Sequence, residues 1–262
     1  MRNALEWPRG AKAPFGVTPG TKQICGFGKD GPVRPITFAH RGGKADGPEN
    51  TLPLFRRALE HGAAGLESDA RLTADGEVVL VHDAVAKRGR LRRARVDQTT
   101  AAQLAELEVP RLADVYAELG TDYELSLDLY DPAARIPVLD VAVAAGAIDR
   151  LWVCAGGVET LLELGERGTG VHLVHSTRRQ RITGSVERHA ARLAEAGIAA
   201  VNMHHTDWTK GLVELYHRFD VLTFAWDIQQ VRHLRAALAM GMDAVYSDYV
   251  DRMVATVAEW SE

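Results

Sequence analysis

The chain lacks the features typical of secreted, membrane-spanning and nucleic-acid-binding proteins. It has only two cysteines, Cys25 and Cys154, which show no metal-ligand spacing and favour a reducing compartment. No apolar run approaches the ~20 residues of a membrane span, and residues 1–20 lack the apolar core of a signal peptide. The net charge of -4 argues against a broad nucleic-acid surface. We therefore expect a cytoplasmic protein with no nucleic-acid partner and no transmembrane segment.

Several common active-site motifs are also missing. There is no G-x-S-x-G, no P-loop and no H-E-x-x-H anywhere in the chain. The G-x-G-x-x-G that follows the first strand of a dinucleotide-binding sheet is absent as well. The chemistry of this chain must therefore depend on other residues.

Short apolar runs alternate with helical patterns from Ile36 onward. The strand candidates are Ile36–Ala39, Gly65–Leu72, Glu124–Leu129, Leu151–Ala155, Val171–His175, Ala199–Met203, Val221–Trp226 and Ala244–Ser247. This alternation predicts parallel strands with right-handed crossovers, and eight such units favour a closed TIM (β/α)₈ barrel. We predict one such domain over residues 36–262, with an open doubly wound sheet as the alternative.

Two segments fall outside the alternating pattern. Residues 1–35 are rich in Gly, Pro and Lys and show no sustained periodicity, so we predict an N-terminal extension that lies over the body or is partly disordered. Residues 87–93 form a basic run that predicts a solvated loop. Attraction of an anionic substrate or a membrane is the alternative for that run.

Capping residues predict the ends of the helices. Asn50 is expected to cap a helix that has Pro53 in its first turn and ends at Gly62. Further helices are predicted over Ser185–Ala196, Trp208–Phe219 and Ile228–Met240.

Asp75-Gly76 is a strong signal for a tight hairpin turn after the second strand. A two-residue turn there would set His82 directly opposite Asp69. Opposed residues of antiparallel strands share a face, so this register would bring the histidine to the acidic side chains.

Three acidic residues are candidate metal ligands. Glu67 and Asp69 are two positions apart on a strand and therefore point to the same side. Asp128 lies near the C-terminal end of another strand, which is where catalytic groups gather in a barrel. Hard oxygen ligands of this kind suit Mg²⁺ or Ca²⁺. The alternative is that these acids are structural salt-bridge partners.

Two histidines, and an arginine at the end of the first predicted strand, are further candidates for the same site. His40 and His82 can serve as acid and base near neutral pH. Arg41 can hold a phosphoryl oxygen, and Gly42-Gly43 lets the backbone approach an anion closely. The alternatives are structural histidines, a surface arginine and a turn that needs positive φ.

Other candidate ligands carry weaker signals. Glu49 precedes the predicted helix and is either a further metal ligand or a favourable charge at the helix start. His204 and His205 follow a strand, where neighbouring residues point to opposite sides. Joint metal ligation by these two histidines is therefore not expected.

The order of these motifs resembles the glycerophosphodiester phosphodiesterase family. The resemblance rests on H-R-G at 40–42, P-E-N-T at 48–51, E-x-D at 67–69, T-x-D-G at 73–76, V-V-x-V-H-D at 78–83, F-A-W-D at 224–227 and the G-M-D-A-V-Y-S-D ending at 241–248. It implies a TIM barrel that hydrolyses small-molecule glycerophosphodiesters to glycerol 3-phosphate and an alcohol.

The resemblance also implies roles for individual residues. A divalent cation would be held by Glu67, Asp69 and a third acid, for which Asp128 is the candidate. His40 and His82 would act as acid and base, with Arg41 on the phosphate. Trp226 would line the glycerol side of the pocket.

The chain departs from the family pattern at its third acid. Asp128 and Tyr130 stand where the family has an E-x-K pair, so a lysine that faces the phosphate is replaced by a tyrosine. Tyr130 can donate a hydrogen bond to the substrate but brings no positive charge. Lys44 is a candidate replacement, with a solvated loop lysine as the alternative.

Two other functions are compatible with the sequence. The missing lysine would fit a non-catalytic relative that binds phosphate esters. A phosphodiesterase that acts on lysophospholipids, with transient membrane contact, is the second alternative.

Overall fold

The computed structural model describes residues 34–89, 92–167 and 170–260. Their strands are β1 Ile36–Ala39, β2 Gly65–Leu72, β3 Val78–Leu80, β4 Val85–Arg88, β5 Arg92–Arg95, β6 Glu124–Asp128, β7 Leu151–Ala155, β8 His172–Thr177, β9 Ala200–His204, β10 Leu222–Trp226 and β11 Ala244–Ser247. Their helices are α1 Leu52–Glu60, α2 Ala101–Ala105, α3 Leu112–Leu119, α4 Arg135–Ala144, α5 Val158–Arg167, α6 Val186–Glu195, α7 Lys210–His217, α8 Val231–Met240 and α9 Val250–Trp260. Nearly all of the predicted N-terminal extension, and Cys25 with it, lies outside the described residues.

Eight parallel strands close into a barrel in the described part of the chain. They follow the order β1-β11-β10-β9-β8-β7-β6-β2, and β2 pairs again with β1. Each of these strands lies within two residues of its predicted bounds. The predicted TIM barrel is therefore confirmed, and the open sheet is excluded.

Apolar side chains fill two layers, one inside the barrel and one between strands and helices. Inside, Phe38 stacks on Tyr246 with 4.8 Å between ring centroids, and Trp152 packs on Phe224 at 5.1 Å. Gly65 is required beside this layer, because a Cβ there would lie 2.6 Å from the carbonyl oxygen of Glu124. The aromatic layer closes the barrel axis and leaves the C-terminal strand ends for polar groups.

The predicted capping role of Asn50 is wrong. Helix α1 begins at Leu52 with Thr51 as its N-cap residue. Asn50 instead has a φ of 56°, and its Oδ1 accepts a 2.8 Å hydrogen bond from the Ser68 hydroxyl. The side-chain amide of Asn50 therefore links the segment before α1 to β2 through this hydrogen bond.

The hairpin register differs from the prediction by one residue. Ala70 pairs with Leu80, because the Thr73 N–H donates to the Glu77 carbonyl oxygen and leaves three residues, 74–76, in the turn, where Gly76 adopts a φ of 83°. The N–H of Val81, not a group of His82, therefore faces the carbonyl oxygen of Asp69, at 2.8 Å.

The described basic residues of this run are not in a loop, because Lys87 and Arg88 belong to β4 and Arg92 and Arg93 to β5, which pair antiparallel. Residues 90 and 91 lie outside the described part of the chain. Lys87 and Arg92 are nevertheless exposed, as predicted. Salt bridges pair Lys87 with Asp83 and Arg92 with Glu106. Carboxylates on the protein's own surface therefore offset much of this positive charge.

The other predicted helices are present. The Ser185 hydroxyl accepts a hydrogen bond from the N–H of Arg188 and caps α6 as expected. None of the helices in the described part of the chain is both long and apolar enough to cross a lipid bilayer.

Candidate active site

A cavity of about 630 Å³ opens at the C-terminal ends of the barrel strands. Nine predicted site residues line it, namely His40, Arg41, Lys44, Glu67, Asp69, His82, Asp128, Tyr130 and Trp226, whereas Glu49 does not. In barrels of this class the catalytic groups occupy this end.

Strand pairing brings the three acidic residues together. Asp69 of β2 is the direct partner of Asp128 of β6, and Glu67 lies two residues earlier on the same face as Asp69. One carboxylate oxygen from each residue lies within 4.8 Å of the other two. The three acids thus form one group, as the spacing predicted.

The electrostatics of this acidic group fit a divalent cation. Burial and the neighbouring carboxylates raise the pKa of Glu67 well above its ordinary value. Burial and Asp69 raise the pKa of Asp128 to about 7. Asp69 Oδ2 is buried and has no hydrogen-bond partner among the described residues. Three hard oxygen donors that repel one another, one of them unpartnered, suit Mg²⁺ or Ca²⁺.

Arg41 lies beside the acidic group on a strained turn. Its φ is 50°, and those of Gly42 and Gly43 are 81° and 85°, so both glycines occupy the left-handed region, which is the alternative that the sequence left open for them. The Arg41 N–H donates to Glu67 Oε2 at 2.9 Å. Its guanidinium donates to both Glu49 oxygens at 3.1 Å, and its Nε lies 3.7 Å from Asp69 Oδ2. Glu49 therefore orients the arginine.

Asp248 orients the ring of His40 and was not found by sequence reasoning. Its Oδ1 lies 2.5 Å from His40 Nδ1, while His40 Nε2 lies 3.7 Å from Glu67 Oε2. Burial opposes the ionisation of Asp248, but His40 and Lys44 lower its pKa below the ordinary value. The sequence feature that could have identified Asp248 is its position as the last residue of the G-M-D-A-V-Y-S-D motif. Lys44 Nζ lies 3.6 Å from Asp248 Oδ2.

His82 reaches the cavity from the segment that follows β3. Its Nδ1 lies 2.9 Å from Asp83 Oδ1, and its carbonyl oxygen accepts hydrogen bonds from Arg71 at 3.0 and 2.6 Å. Burial raises the pKa of both Asp69 and Asp128, and the His82 ring counteracts part of this rise, so the ring lies within electrostatic reach of the acidic group. Arg71 was likewise missed, although it continues the face of Glu67 and Asp69 on β2.

Tyr130 stands at the mouth of the cavity and is 63% exposed. The nearby charge of Asp128 raises the pKa of its hydroxyl, so Tyr130 remains neutral. Across the mouth, the Arg178 guanidinium lies 5.7 Å from the ring centroid of Trp226. Asp207 binds Arg178 through hydrogen bonds of 2.6 and 3.1 Å. The cavity wall therefore holds a cation that sequence reasoning did not identify.

Comparison with known proteins identifies the family of this chain. Residues 40–252 match the model of the glycerophosphoryl diester phosphodiesterase family. Glycerophosphodiester phosphodiesterase 1 of Bos taurus is 38% identical over 113 residues, which is 42% of this chain and 30% of the bovine protein. The chain thus matches less than a third of that relative's length.

Solved structures extend the likeness to the whole barrel. The glycerophosphodiester phosphodiesterase of Thermotoga maritima superposes with a TM-score of 0.74 at 24% identity, covering 84% of this chain and 97% of that one. A phosphodiesterase of Oleispira antarctica, solved with the product sn-glycerol-3-phosphate, gives a TM-score of 0.70 at 20% identity and covers 86% and 97%. The chain belongs to the glycerophosphoryl diester phosphodiesterase family, whose members are phosphoric diester hydrolases.

Proposed function

We propose that the protein is a metal-dependent phosphodiesterase that hydrolyses glycerophosphodiesters to glycerol 3-phosphate and an alcohol. The observation that carries this proposal is the acidic group Glu67–Asp69–Asp128 in the same cavity as His40 and His82. The product bound to the Oleispira antarctica relative supports the same product class.

The three carboxylates would hold Mg²⁺ or Ca²⁺. When bound, such an ion neutralises phosphoryl oxygens and offsets the mutual repulsion of Glu67, Asp69 and Asp128.

Arg41 and the histidines supply the remaining chemistry. Arg41 stabilises the negative charge that develops on the phosphoryl group, since Glu49 holds its guanidinium beside the acidic group. His40 and His82 each engage a carboxylate through Nδ1, which leaves Nε2 to take or give a proton. One ring removes a proton from the nucleophile, and the other protonates the departing alcohol.

Two nucleophiles are compatible with this arrangement. Attack by water gives glycerol 3-phosphate directly, whereas attack by the neighbouring hydroxyl of the substrate first gives a cyclic phosphate. Phosphorus NMR of the reaction mixture distinguishes the two, because only the second route accumulates the cyclic species. A cytoplasmic location stays a prediction from sequence, and a role in lipid metabolism is part of this proposal.

The decisive experiment measures alcohol release from glycerophosphodiesters with Mg²⁺, Ca²⁺ or EDTA. We expect turnover with a divalent cation and none in EDTA. If folded protein binds glycerol phosphate but shows no turnover with any cation, the proposal fails and the non-catalytic phosphate-ester binder replaces it. Faster turnover of lysophospholipids than of small diesters would instead assign the larger substrate.

A further inference from the structure

A second group of metal-ligating side chains lies at the mouth of the barrel, after β9 and β10. It consists of His204, His205 and Asp227, and one ligand atom from each lies within 4.8 Å of the other two. We propose that this histidine–aspartate group binds a transition-metal dication of the zinc type, at a site separate from the acidic group.

The backbone explains why two adjacent histidines share one site. Strand β9 ends at His204, and a short 3₁₀ turn over His205–Asp207 begins at once. The alternation that would send neighbouring side chains to opposite sides therefore stops, and the two rings lie 4.6 Å apart between centroids. The expectation that these histidines diverge is wrong for this reason.

Strand pairing supplies the carboxylate. His204 pairs with Trp226 of β10, so Asp227 leaves the neighbouring strand at the same level. Its φ of 62° is unusual for a residue with a side chain. His204 Nε2 and Asp227 Oδ2 lie 3.0 Å apart. Two ligands that are each about 2.0–2.1 Å from a tetrahedral zinc ion are roughly 3.3 Å apart, so this pair needs little movement to bind one.

Neighbouring groups can hold both side chains in a ligating state. His204 Nδ1 accepts a 3.3 Å hydrogen bond from the Thr206 N–H and lies 2.7 Å from Thr206 Oγ1, so without an ion Nε2 carries the proton and donates it to Asp227 Oδ2. An ion that binds between Nε2 and Oδ2 would displace this proton, as metal ions do when they bind histidine. Gln229 Nε2 donates to Asp227 Oδ1 at 3.2 Å, which keeps Oδ2 directed towards His204 Nε2. Such outer partners orient ligands in metal sites. His233 stacks on His205 with 4.3 Å between ring centroids and restrains the ring of that ligand.

The donor set determines the class of ion. Imidazole nitrogens suit zinc, copper and nickel, whereas a purely carboxylate set suits magnesium and calcium. The acidic group therefore favours magnesium or calcium, whereas the histidine–aspartate group favours a zinc-type ion. The Asp227 side chain is 49% exposed, which leaves the site open to an ion from solvent.

Equilibrium dialysis of the full-length protein, prepared without a polyhistidine tag and stripped with a chelator, tests the proposal. Zinc is added in the presence of excess Mg²⁺, which competes for the acidic group. We expect one zinc ion per chain and at least a tenfold loss of affinity in His205→Gln and in Asp227→Asn. His61→Gln, which changes an exposed histidine at the end of α1, is the matched control and should bind as the wild type does.

Three results would overturn the proposal. The first is the absence of zinc binding by the wild type, and the second is unchanged affinity in both site variants once melting curves establish that they fold. The third is a loss of zinc binding in Asp128→Asn alone, which would assign the ion to the acidic group. The visible spectrum of Co²⁺ provides a second measurement, since the tetrahedral bands should be lost in His205→Gln and retained in His61→Gln.

Discussion

His40 Nδ1 lies 2.5 Å from Asp248 Oδ1, although 208 positions separate the two residues in the chain. Barrel closure creates this contact, because β1 and β11 pair in parallel with Ala39 beside Ser247. The carboxylate accepts the Nδ1 proton of the ring and directs Nε2 towards Glu67 and the cavity. Asp248 is therefore a positioning residue for the proposed acid–base histidine.

Replacement of Asp248 tests this positioning. In Asp248→Asn the side-chain amide can donate to Nδ1 and favour the wrong tautomer of His40. We expect kcat to fall about 10²-fold while KM changes little, since general acid–base catalysis contributes on this scale. Steady-state kinetics with a glycerophosphodiester measure both constants. An unchanged kcat would rule out the positioning role.

The two histidines should be needed for activity but not for folding. Their side chains are 27% and 39% exposed, for His40 and His82 respectively, so truncation leaves no buried cavity. We expect His40→Ala and His82→Ala each to lower kcat/KM by about 10²–10⁴-fold, with a melting temperature close to the wild type. His61→Ala is the control for loss of a histidine. A large stability loss in both variants would instead favour a structural role.

Asp128→Asn should raise the stability of the metal-free protein. Three neighbouring carboxylates, two of them buried, repel one another without a cation, and the substitution removes one of these charges at nearly constant volume. We expect a higher melting temperature than the wild type in EDTA, together with a loss of activity. Mg²⁺ should raise the melting temperature of the wild type much more than that of the variant. Equal Mg²⁺ responses would argue against metal binding by this residue.

Tyr130 occupies the position at which the family pattern has a positively charged lysine. Its side chain lies at the cavity mouth beside Asp128, and Lys44 is paired with Asp248 instead of filling the gap. We expect Tyr130→Lys to lower KM for anionic diesters severalfold, because a cation there attracts the phosphate. Tyr130→Phe is the control that removes the hydroxyl without adding charge. A KM in the lysine variant equal to that of the phenylalanine variant would contradict the prediction.

The sequence predicted the barrel and the main site residues because both depend on local patterns. Alternation on β2 and β6 was enough to put Glu67, Asp69 and Asp128 on inward faces. The missed features depend on geometry that local patterns do not encode. Asp248 meets His40 only when the barrel closes, and one extra loop residue moved the hairpin register. Asn50 was mistaken for a helix cap because its real partner, Ser68, lies on another element.

A chain of buried polar rings should make stability depend on pH. His189 Nε2 lies 3.1 Å from His175 Nδ1, and His189 Nδ1 lies 2.8 Å from the Tyr216 hydroxyl. Burial and the neighbouring His175 lower the pKa of His189 from 6.5 to about 4. Between these values the unfolded chain binds more protons than the folded one. Stability is therefore fully present above about pH 6.5 and is lost as the pH falls towards 4.

His189→Gln isolates this contribution, because glutamine can keep hydrogen bonds to both neighbours but does not titrate. Urea unfolding of wild type and variant between pH 4 and 7.5 measures the difference in unfolding free energy. We expect the wild type to lose up to roughly 3 kcal/mol more than the variant across this range. His61→Gln, at an exposed position, should follow the wild-type profile. Parallel profiles for wild type and His189→Gln would mean that His189 is not held neutral in the folded protein.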